Sequence, residues 1–279
     1  MNVLRNLIIT GSAEKNILLD VFYKQNGIKK PIVIFSHGFK GFKDWGHFNL
    51  LAEKFAEQNF VFVKFNFSYN GTTTEHPTEF TNLEAFGNNN YSIELDDLGK
   101  VIDWTLNSPL LSSEINPKQL YLLGHSRGGG ITILKAYEDK RVKKIVTWAA
   151  VADFINRIKN NDVKDWKKNG VIYSMNARTN QQMPLYYQLY ENTLVNAERL
   201  NITKAAKKLS IQFLLIHGTS DEAVSVEDAK LLYNNCVTSQ VLLIEGAGHT
   251  FGVKHPFEDI VFPPHAESAI NKTIAFLGE

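Results

Sequence analysis

A serine, an aspartate and a histidine occur in that chain order, each just beyond an apolar run. Ser126 lies in "LLGHSRGGG", Asp221 in "LLIHGTSDEAV" and His249 in "LLIEGAGHTFG". A serine hydroxyl is a weak nucleophile near neutral pH, so it needs a base and a carboxylate that orients the base. These residues could therefore attack an acyl carbonyl, with Ser126 as nucleophile, His249 as base and Asp221 as the orienting acid.

The residues around the serine, Gly124-His125-Ser126-Arg127-Gly128, fit the pattern G-x-S-x-G. In this motif the serine sits on a tight turn between a strand and a helix, and glycines keep β-carbons from colliding. The stretch continues as Gly129 and Gly130, although each glycine costs a helix roughly 0.5–1 kcal/mol relative to alanine. The glycines therefore indicate that the backbone needs room here.

Asp153, His37 and His125 lie near these motifs and could also have a role in the chemistry. Asp153 follows the apolar strand "KKIVTWAA" and is a rival for the acid, but Asp221 directly precedes the strand that leads to His249 and is favoured. His37 and His125 flank the turns, without an H-E-x-x-H pattern or a cysteine cluster, so loop hydrogen bonding is expected rather than a metal site. The sequence "GHSRGGG" lacks the spacings of phosphate-binding loops, and no cofactor is expected.

Strands and helices alternate along most of the chain and would position these residues. "VLRNLIIT" and "ILLDVFYK" predict a hairpin, "PIVIFSHG" a third strand, and residues 45–58 a helix before the strand "FVFVKFNFS". The alternation continues with helices over about 92–106, after residue 126, over 226–234 and from about 265, and with the strands "QLYLLGH", "KKIVTWAA", "IQFLLIHG" and "QVLLIEG". Continuous apolar strands between amphipathic helices predict a mostly parallel sheet with helices on both faces and an antiparallel N-terminal edge.

Two segments interrupt the alternation. Residues 69–91, rich in Asn, Thr and Gly, are predicted to form a long loop. Residues 151–208 are polar, helical in pattern and rich in tyrosine, and are interpreted as a lid inserted into a core made of residues 1–150 and 209–279. A surface helix pair without a functional role is the alternative for this insertion.

The composition argues against several classes of partner. Thirty Lys and Arg against 29 Asp and Glu give a formal charge of +1, so no overall field favours nucleic acid or an anionic membrane. The single cysteine, Cys236, fits a reducing compartment, and neither a signal peptide nor a run of 18 apolar residues is found. We expect a soluble cytoplasmic protein that acts on a small molecule; its oligomeric state is left open.

Over essentially its whole length the chain resembles the α/β-hydrolase superfamily. "FSHGFKG" is similar to the oxyanion loop of that superfamily, "GHSRGG" to its nucleophile elbow, "HGTSDEAV" to its acid loop and "GAGHTF" to its histidine loop. Within the superfamily the chain looks like small serine esterases, including the cinnamoyl and feruloyl esterase-like group, and like dienelactone-hydrolase-type proteins. The dienelactone type normally has a cysteine nucleophile, where this chain has Ser126.

The resemblance implies an oxyanion hole made by the backbone N–H groups of Phe39 and Arg127. A helix N-terminus carries unpaired N–H donors and favours negative charge, so the backbone N–H of Arg127 is well placed to bind an oxyanion. A cationic side chain is poorly placed there, so the Arg127 side chain is expected in an ion pair, with contact to substrate as the alternative.

The expected activity is hydrolysis of carboxylic esters, with water releasing an acyl-enzyme. An acyltransferase, a peptidase or amidase and a C–C hydrolase would use the same three residues. A binding protein without activity is a further alternative, but such proteins usually lose one of the three. Epoxide hydrolases and dehalogenases use an aspartate nucleophile at the position of Ser126, so the serine argues against those two activities.

The insertion suggests the kind of ester. Its rings Trp166, Tyr173, Tyr186, Tyr187 and Tyr190 are expected near the carboxyl edge of the sheet, where open α/β sheets bind ligands. If they face the cleft, flat walls with polar tips would suit small or aromatic acyl groups rather than long fatty chains. The alternative is that some of them form the core of the lid.

Overall fold

The computed structural model describes the backbone of residues 1–279 and the side chains of all of them except residue 13. The strands are β1 (Asn2–Thr10), β2 (Asn16–Tyr23), β3 (Lys30–Ser36), β4 (Val61–Asn66), β5 (Ile115–His125), β6 (Val142–Trp148), β7 (Val171–Asn176), β8 (Gln181–Tyr186), β9 (Gln212–Gly218) and β10 (Ser239–Ile244). The helices are α1 (Phe48–Glu57), α2 (Leu83–Gly87), α3 (Tyr91–Asn107), α4 (Arg127–Glu138), α5 (Phe154–Lys159), α6 (Val163–Asn169), α7 (Gln188–Val195), α8 (Ile202–Lys207), α9 (Val226–Asn235) and α10 (Pro264–Gly278).

Eight of these strands form one sheet in the order β1-β2-β4-β3-β5-β6-β9-β10. Strand β2 pairs antiparallel with β1 and with β4, and every other pairing in this sheet is parallel. This confirms the predicted mostly parallel sheet with an antiparallel N-terminal edge. Because β3, β4, β5, β6, β9 and β10 run the same way, the loops that follow these six strands meet at one edge of the sheet.

Helices cover both faces of this sheet. Alternate residues of β3 point to opposite sides, so Ile32 and Ile34 join the core beneath α3 and α4, whereas Val33 and Phe35 join the core beneath α1 and α10. Burial on both faces explains why these strands are apolar throughout. In the part of the chain that the structure describes, no helix is long and apolar enough to cross a bilayer.

The segment between β6 and β9 differs from the helical insertion expected from the sequence. Besides α5, α6, α7 and α8 it contains a two-stranded antiparallel sheet of β7 and β8. β7 begins with Val171, Ile172 and Tyr173, which are β-branched or aromatic residues that favour strands, and Asn180 has a φ of 54° in the turn to β8. The helical pattern expected for residues 151–208 therefore holds for α5 to α8 but not for residues 171–186, where the strand-favouring residues of β7 had not been recognised. The long loop predicted at 69–91 also contains the short helix α2.

Candidate active site

Ser126 lies at a sharp turn between β5 and α4. Its backbone has φ 57° and ψ −121°, a conformation that costs a non-glycine residue free energy and persists only where the surroundings impose it. The Ser126 N–H donates to the Trp148 carbonyl at 2.9 Å, and its own carbonyl accepts from the Gly129 N–H at 3.0 Å. These bonds to β6 and α4 hold the turn, and the hydroxyl points into a cleft beyond the sheet edge.

The glycines after Ser126 allow close contacts on two sides of helix α4. A β-carbon on Gly128 would overlap the carbonyl oxygens of Ser36 and His37, at the end of β3. A β-carbon on Gly130 would lie 2.8 Å from side-chain atoms of Ile202 and Phe154. Gly128 therefore lets the helix start against β3, and Gly130 leaves room for residues of the inserted segment.

A chain of hydrogen bonds joins the three residues singled out from the sequence. The Nε2 atom of His249 lies 3.0 Å from Ser126 Oγ, and its Nδ1 atom lies 2.8 Å from Asp221 Oδ2. Ser126 follows β5, Asp221 follows β9 and His249 follows β10. These three parallel strands, with β6 between β5 and β9, end at the same edge of the sheet and bring the residues together. The Asp221 side chain is fully buried, and the other two side chains have limited exposure.

The carboxylate of Asp221 is held from several directions. Its Oδ1 atom accepts the N–H groups of Ala223 and Val224, both at 2.9 Å. The Nε2 atom of His217 lies 3.3 Å from Oδ2 and 2.9 Å from the Val224 carbonyl. Burial alone would raise the pKa of Asp221, but hydrogen bonds from His217, His249 and Val224 outweigh it and hold that pKa far below its ordinary value. The carboxylate therefore stays ionised.

The sequence motifs did not single out His217, which also contacts the acid. It lies at the end of β9, four residues before Asp221, so the "IHG" ahead of the acid was the available signal. Asp153, the rival acid, lies elsewhere: its carboxylate caps helix α5 by accepting the N–H groups of Ile155 and Asn156 at 2.8 and 3.0 Å. The structure thus pairs His249 with Asp221.

His37 and His125 both support the loops of the site through their rings. Nδ1 of His37 lies 2.9 Å from the Gly38 carbonyl, and Nε2 of His125 lies 2.9 Å from the His249 carbonyl. Burial lowers the pKa of His37 to about 4 and that of His125 to about 3, with the charge of His249 adding to the effect at His125. Both rings are therefore neutral at pH 7, and they hold the backbones of the loop after β3 and the loop after β10.

The loop after β3 and the start of α4 face Ser126 from two sides. A β-carbon on Gly38 would lie 3.0 Å from Ser126 Cβ, so Phe39 begins beside the serine. Arg127 is the first residue of α4, where a backbone N–H has no acceptor within the helix. Phe39 and Arg127 line the same cleft as Ser126 and His249.

The side chain of Arg127 forms an ion pair, the role expected for it from the sequence ahead of contact with substrate. Its Nη1 atom lies 3.2 Å from Glu94 Oε1, and the same oxygen accepts from Asn89 at 2.7 Å. The guanidinium carbon is 4.2 Å from the ring centroid of Phe39 and 5.0 Å from that of Tyr91. The side chain is thus fixed between a buried carboxylate and two aromatic rings.

Two cavities meet at Ser126 and His249. The larger cleft has a volume of about 400 Å³, and its apolar wall comes from Tyr91, Val151, Phe154, Ile158, Leu185, Leu189 and Val224. The smaller, of about 120 Å³, lies between the Gly38–Gly41 loop, Trp45, Phe48 and Thr250. Phe39 and Lys40 line both cavities. A bound molecule could therefore extend to either side of the serine.

The five aromatic residues predicted to contact substrate lie outside the lining of both cavities. Trp166 is fully buried, donates to the Leu185 carbonyl at 2.8 Å and packs against the rings of Tyr187 and Tyr190. The Tyr186 hydroxyl donates to Glu84 at 2.5 Å, and Tyr173 is 61% exposed. The cleft-facing placement was wrong for two reasons. Trp166, Tyr187 and Tyr190 pack on one another and hold the inserted segment together, whereas Tyr173 and Tyr186 lie on its surface away from the cleft.

Comparison of the sequence with known families gives one match that covers most of the chain. The profile of the prolyl oligopeptidase family matches residues 47–258, a range that includes Ser126, Asp221 and His249. An uncharacterized 31.7 kDa Escherichia coli protein from the traX-finO intergenic region is 29% identical over 143 residues. That match spans 50% of this chain and 44% of the relative, so the chain covers less than half the length of this curated protein.

Solved structures resemble the chain over nearly its full length. Est1E from Butyrivibrio proteoclasticus, solved with bound ferulic acid, has a TM-score of 0.77 and 16% identity, with 97% of both chains covered. The α/β hydrolase GrgF from Penicillium sp. sh18 has a TM-score of 0.75 and 16% identity, covering 99% of this chain and 98% of its own. At such identities the likeness concerns the fold.

Proposed function

Because this chain belongs to the prolyl oligopeptidase family and has the α/β-hydrolase fold, we propose that it is a serine hydrolase that cleaves carboxylic esters. The observation that carries the proposal is the hydrogen-bonded chain from Ser126 Oγ through His249 to Asp221, at 3.0 and 2.8 Å. A nucleophile, a base within hydrogen-bond reach and a carboxylate that orients the base are what acyl transfer requires.

The steps follow from the positions of these atoms. Ser126 Oγ attacks the ester carbonyl carbon while its proton passes to His249 Nε2. The tetrahedral intermediate collapses as His249 returns the proton to the alcohol oxygen, which leaves. Water then attacks the acyl-enzyme, giving one proton to His249, and that proton returns to Ser126 Oγ as the carboxylic acid departs. Asp221 stays ionised throughout and stabilises the imidazolium.

The negative oxygen of each intermediate is assigned to the backbone N–H groups of Phe39 and Arg127. Fixed donors directed at a developing charge are worth a factor of about 10² to 10³ in rate for each donor removed. Gly38 brings the first donor close to the serine, and the N-terminus of α4 supplies the second. The strained backbone of Ser126 helps to set the nucleophile between them.

The larger cleft supports a preference for small or aromatic acyl groups. Its volume of about 400 Å³ lies at the lower end of ligand pockets. Phe154 stacks on Tyr91 with a centroid separation of 3.9 Å and offers a flat wall. Residues 151–208 supply much of this wall, including Leu185 and Leu189, and in this proposal they act as a cap over the core formed by residues 1–150 and 209–279.

Peptide or amide hydrolysis is the second candidate, and the family match favours it. The same three residues would act, with His249 protonating an amine rather than an alcohol. Pairs of substrates that share one acyl group distinguish the two, such as a 4-nitrophenyl ester and the matching 4-nitroanilide.

The test is kcat/KM for acetyl, butyryl, cinnamoyl and dodecanoyl esters of 4-nitrophenol, together with the four anilides. We expect the butyryl or cinnamoyl ester to be the best substrate. The control is Ser126→Ala, expressed and purified in the same way, because any ester hydrolysis that it shows comes from a contaminating esterase. Higher kcat/KM for the anilides would assign the chain as an amidase, and an optimum at the dodecanoyl ester would contradict the proposed acyl preference.

A further inference from the structure

The charged side chains that line the larger cleft all carry the same sign. Among the described residues of its lining, the charged groups are Lys40, Arg127 and Arg157, and no aspartate or glutamate belongs to the lining. The chain as a whole is close to neutral, with a formal charge of +1. The positive lining is therefore a local property of this cleft and not a consequence of composition.

The three cations differ in how far nearby carboxylates neutralise their positive charge. Arg127 is paired with the buried Glu94 at 3.2 Å, which largely neutralises its charge. The Lys40 ammonium donates instead to two neutral groups, the Met175 carbonyl at 2.7 Å and Ser174 Oγ at 3.3 Å. Burial, with the nearby charge of Arg127, lowers the pKa of Lys40. Lys40 thus lines the same cleft as Ser126 and is a partly desolvated cation that an anion would stabilise.

Arg157 forms only a loose pair. Its Nη2 atom lies 3.6 Å from Asp228 Oδ2, beyond ordinary hydrogen-bond distance, and the Arg157 side chain is 41% exposed. The same oxygen of Asp228 already accepts the Ala152 N–H at 3.0 Å. The planar guanidinium of Arg157 is therefore free to bind a carboxylate with two parallel hydrogen bonds.

We propose that the enzyme prefers esters that carry a carboxylate on the part of the molecule held in the larger cleft, with Lys40 and Arg157 as its partners. The inference rests on the proposed esterase function and narrows its substrate class. The apolar wall around Phe154 would hold a short or aromatic body, and the carboxylate would meet the cations at the border of that wall. An anion there faces no acid in the described lining, whereas a cationic substrate would be repelled.

Two matched substrate pairs place the carboxylate on either side of the ester. In the first, 4-nitrophenyl hydrogen adipate is compared with its neutral methyl ester, so the charge is on the acyl group. In the second, the butyryl ester of 3-hydroxybenzoate is compared with that of 3-hydroxybenzamide, so the charge is on the alcohol. The readout is the ratio of kcat/KM for the anionic substrate to that for its neutral partner.

We expect a ratio of about ten in one of the two pairs, the scale of one charge-assisted hydrogen bond. Lys40→Gln and Arg157→Gln should each lower the ratio several-fold, and Lys40→Arg should retain it. The matched control is Lys118→Gln, since Lys118 is exposed near the start of β5, far from the carboxyl end that leads to Ser126, and should leave the ratio unchanged. Higher salt should reduce the preference.

Binding to Ser126→Ala separates this inference from the proposed esterase activity. Calorimetric titration of that variant with the same intact esters should give tighter binding for the anionic member of the preferred pair, even if the wild-type protein hydrolyses none of them. Ratios at or below one in both pairs, together with equal affinities, would overturn the inference. Ratios that neither Lys40→Gln nor Arg157→Gln lowers would overturn it as well.

Discussion

The guanidinium carbon of Arg127 lies 4.2 Å from the ring centroid of Phe39, so the two residues assigned as oxyanion donors also touch through their side chains. Glu94 fixes the other side of the guanidinium at 3.2 Å and is itself held by Asn89. The side chain that follows the nucleophile therefore ties the Phe39 loop to helix α3. A cation is otherwise unfavourable at a helix N-terminus. Its contact with Phe39 gives the Arg127 side chain a positioning role there.

Arg127→Lys should lower kcat about tenfold with little change in KM, because a lysine keeps the charge but loses the planar contact with the Phe39 ring. A displaced oxyanion donor weakens binding of the transition state more than binding of the substrate. Affinity for a boronic acid that mimics the tetrahedral intermediate should fall in parallel. Arg141→Lys, at a surface ion pair, is the control. A change confined to KM would show that Arg127 contacts substrate instead.

Asp221→Asn should fold and should reduce kcat by about 10⁴, because the amide no longer stabilises the tautomer and charge of His249 that attack requires. Asp153→Asn is the matched control, since Asp153 was the rival acid and only caps α5. It should leave kcat unchanged. Steady-state kinetics on one ester decide the matter, and the reverse pattern would assign Asp153 as the acid.

Gly128→Ala should destabilise the protein and reduce activity together, because the new β-carbon would overlap the backbone carbonyls of Ser36 and His37. Rigid backbone cannot move aside without displacing the Phe39 loop. Gly99→Ala is the matched control in helix α3, where the new β-carbon would meet only the flexible end of Lys135. It should be neutral or stabilising by up to about 1 kcal/mol. Urea unfolding measures both, and equal effects would refute the close approach at Gly128.

His47 is a buried ring whose two nitrogens lack hydrogen-bond partners among the described residues. Burial lowers its pKa to about 4 from the ordinary 6.5. Between those two values the unfolded chain binds a proton at this position and the folded protein does not. The stability associated with the neutral ring is therefore complete above pH 6.5 and is lost as the pH falls toward 4.

His47→Phe should raise the free energy of unfolding by about 1 kcal/mol or more at pH 8, since it removes an unsatisfied buried polar group. The gain should grow as the pH is lowered to 4.5. Asp97, whose pKa burial raises to about 6, acts in the opposite sense in both proteins, so the difference between variant and wild type isolates His47. A difference that does not depend on pH would contradict the buried neutral ring.

The sequence was sufficient for the sheet and for the residues that follow its strands. Apolar strands between amphipathic helices predict that the strand ends meet at one edge, and Ser126, Asp221 and His249 all follow strands of that sheet. Whether a residue directly follows a strand can be read from the sequence around it, without knowledge of contacts elsewhere in the chain. The proximity of these three residues could therefore be anticipated without coordinates.

The inserted segment could not be predicted as well, because its structure depends on contacts that are remote in the chain. Whether Tyr186 faces the cleft or reaches Glu84 depends on where helix α2 lies, and local periodicity does not encode that position. The same holds for Lys40, which contacts Ser174 across 134 residues. The contribution of Phe154 to the cleft likewise became visible only once α5 was placed beneath Gly130.

The central claim is that Ser126 carries the acyl group, and covalent labelling tests it most directly. The protein is incubated with a fluorophosphonate, digested, and mapped by mass spectrometry while ester hydrolysis is followed in parallel. We predict one adduct per chain, located on Ser126, with activity lost in proportion to labelling; Ser126→Ala should take up no label and lose about 10⁶ in kcat. An adduct on another residue, or full ester hydrolysis by Ser126→Ala, would contradict the account.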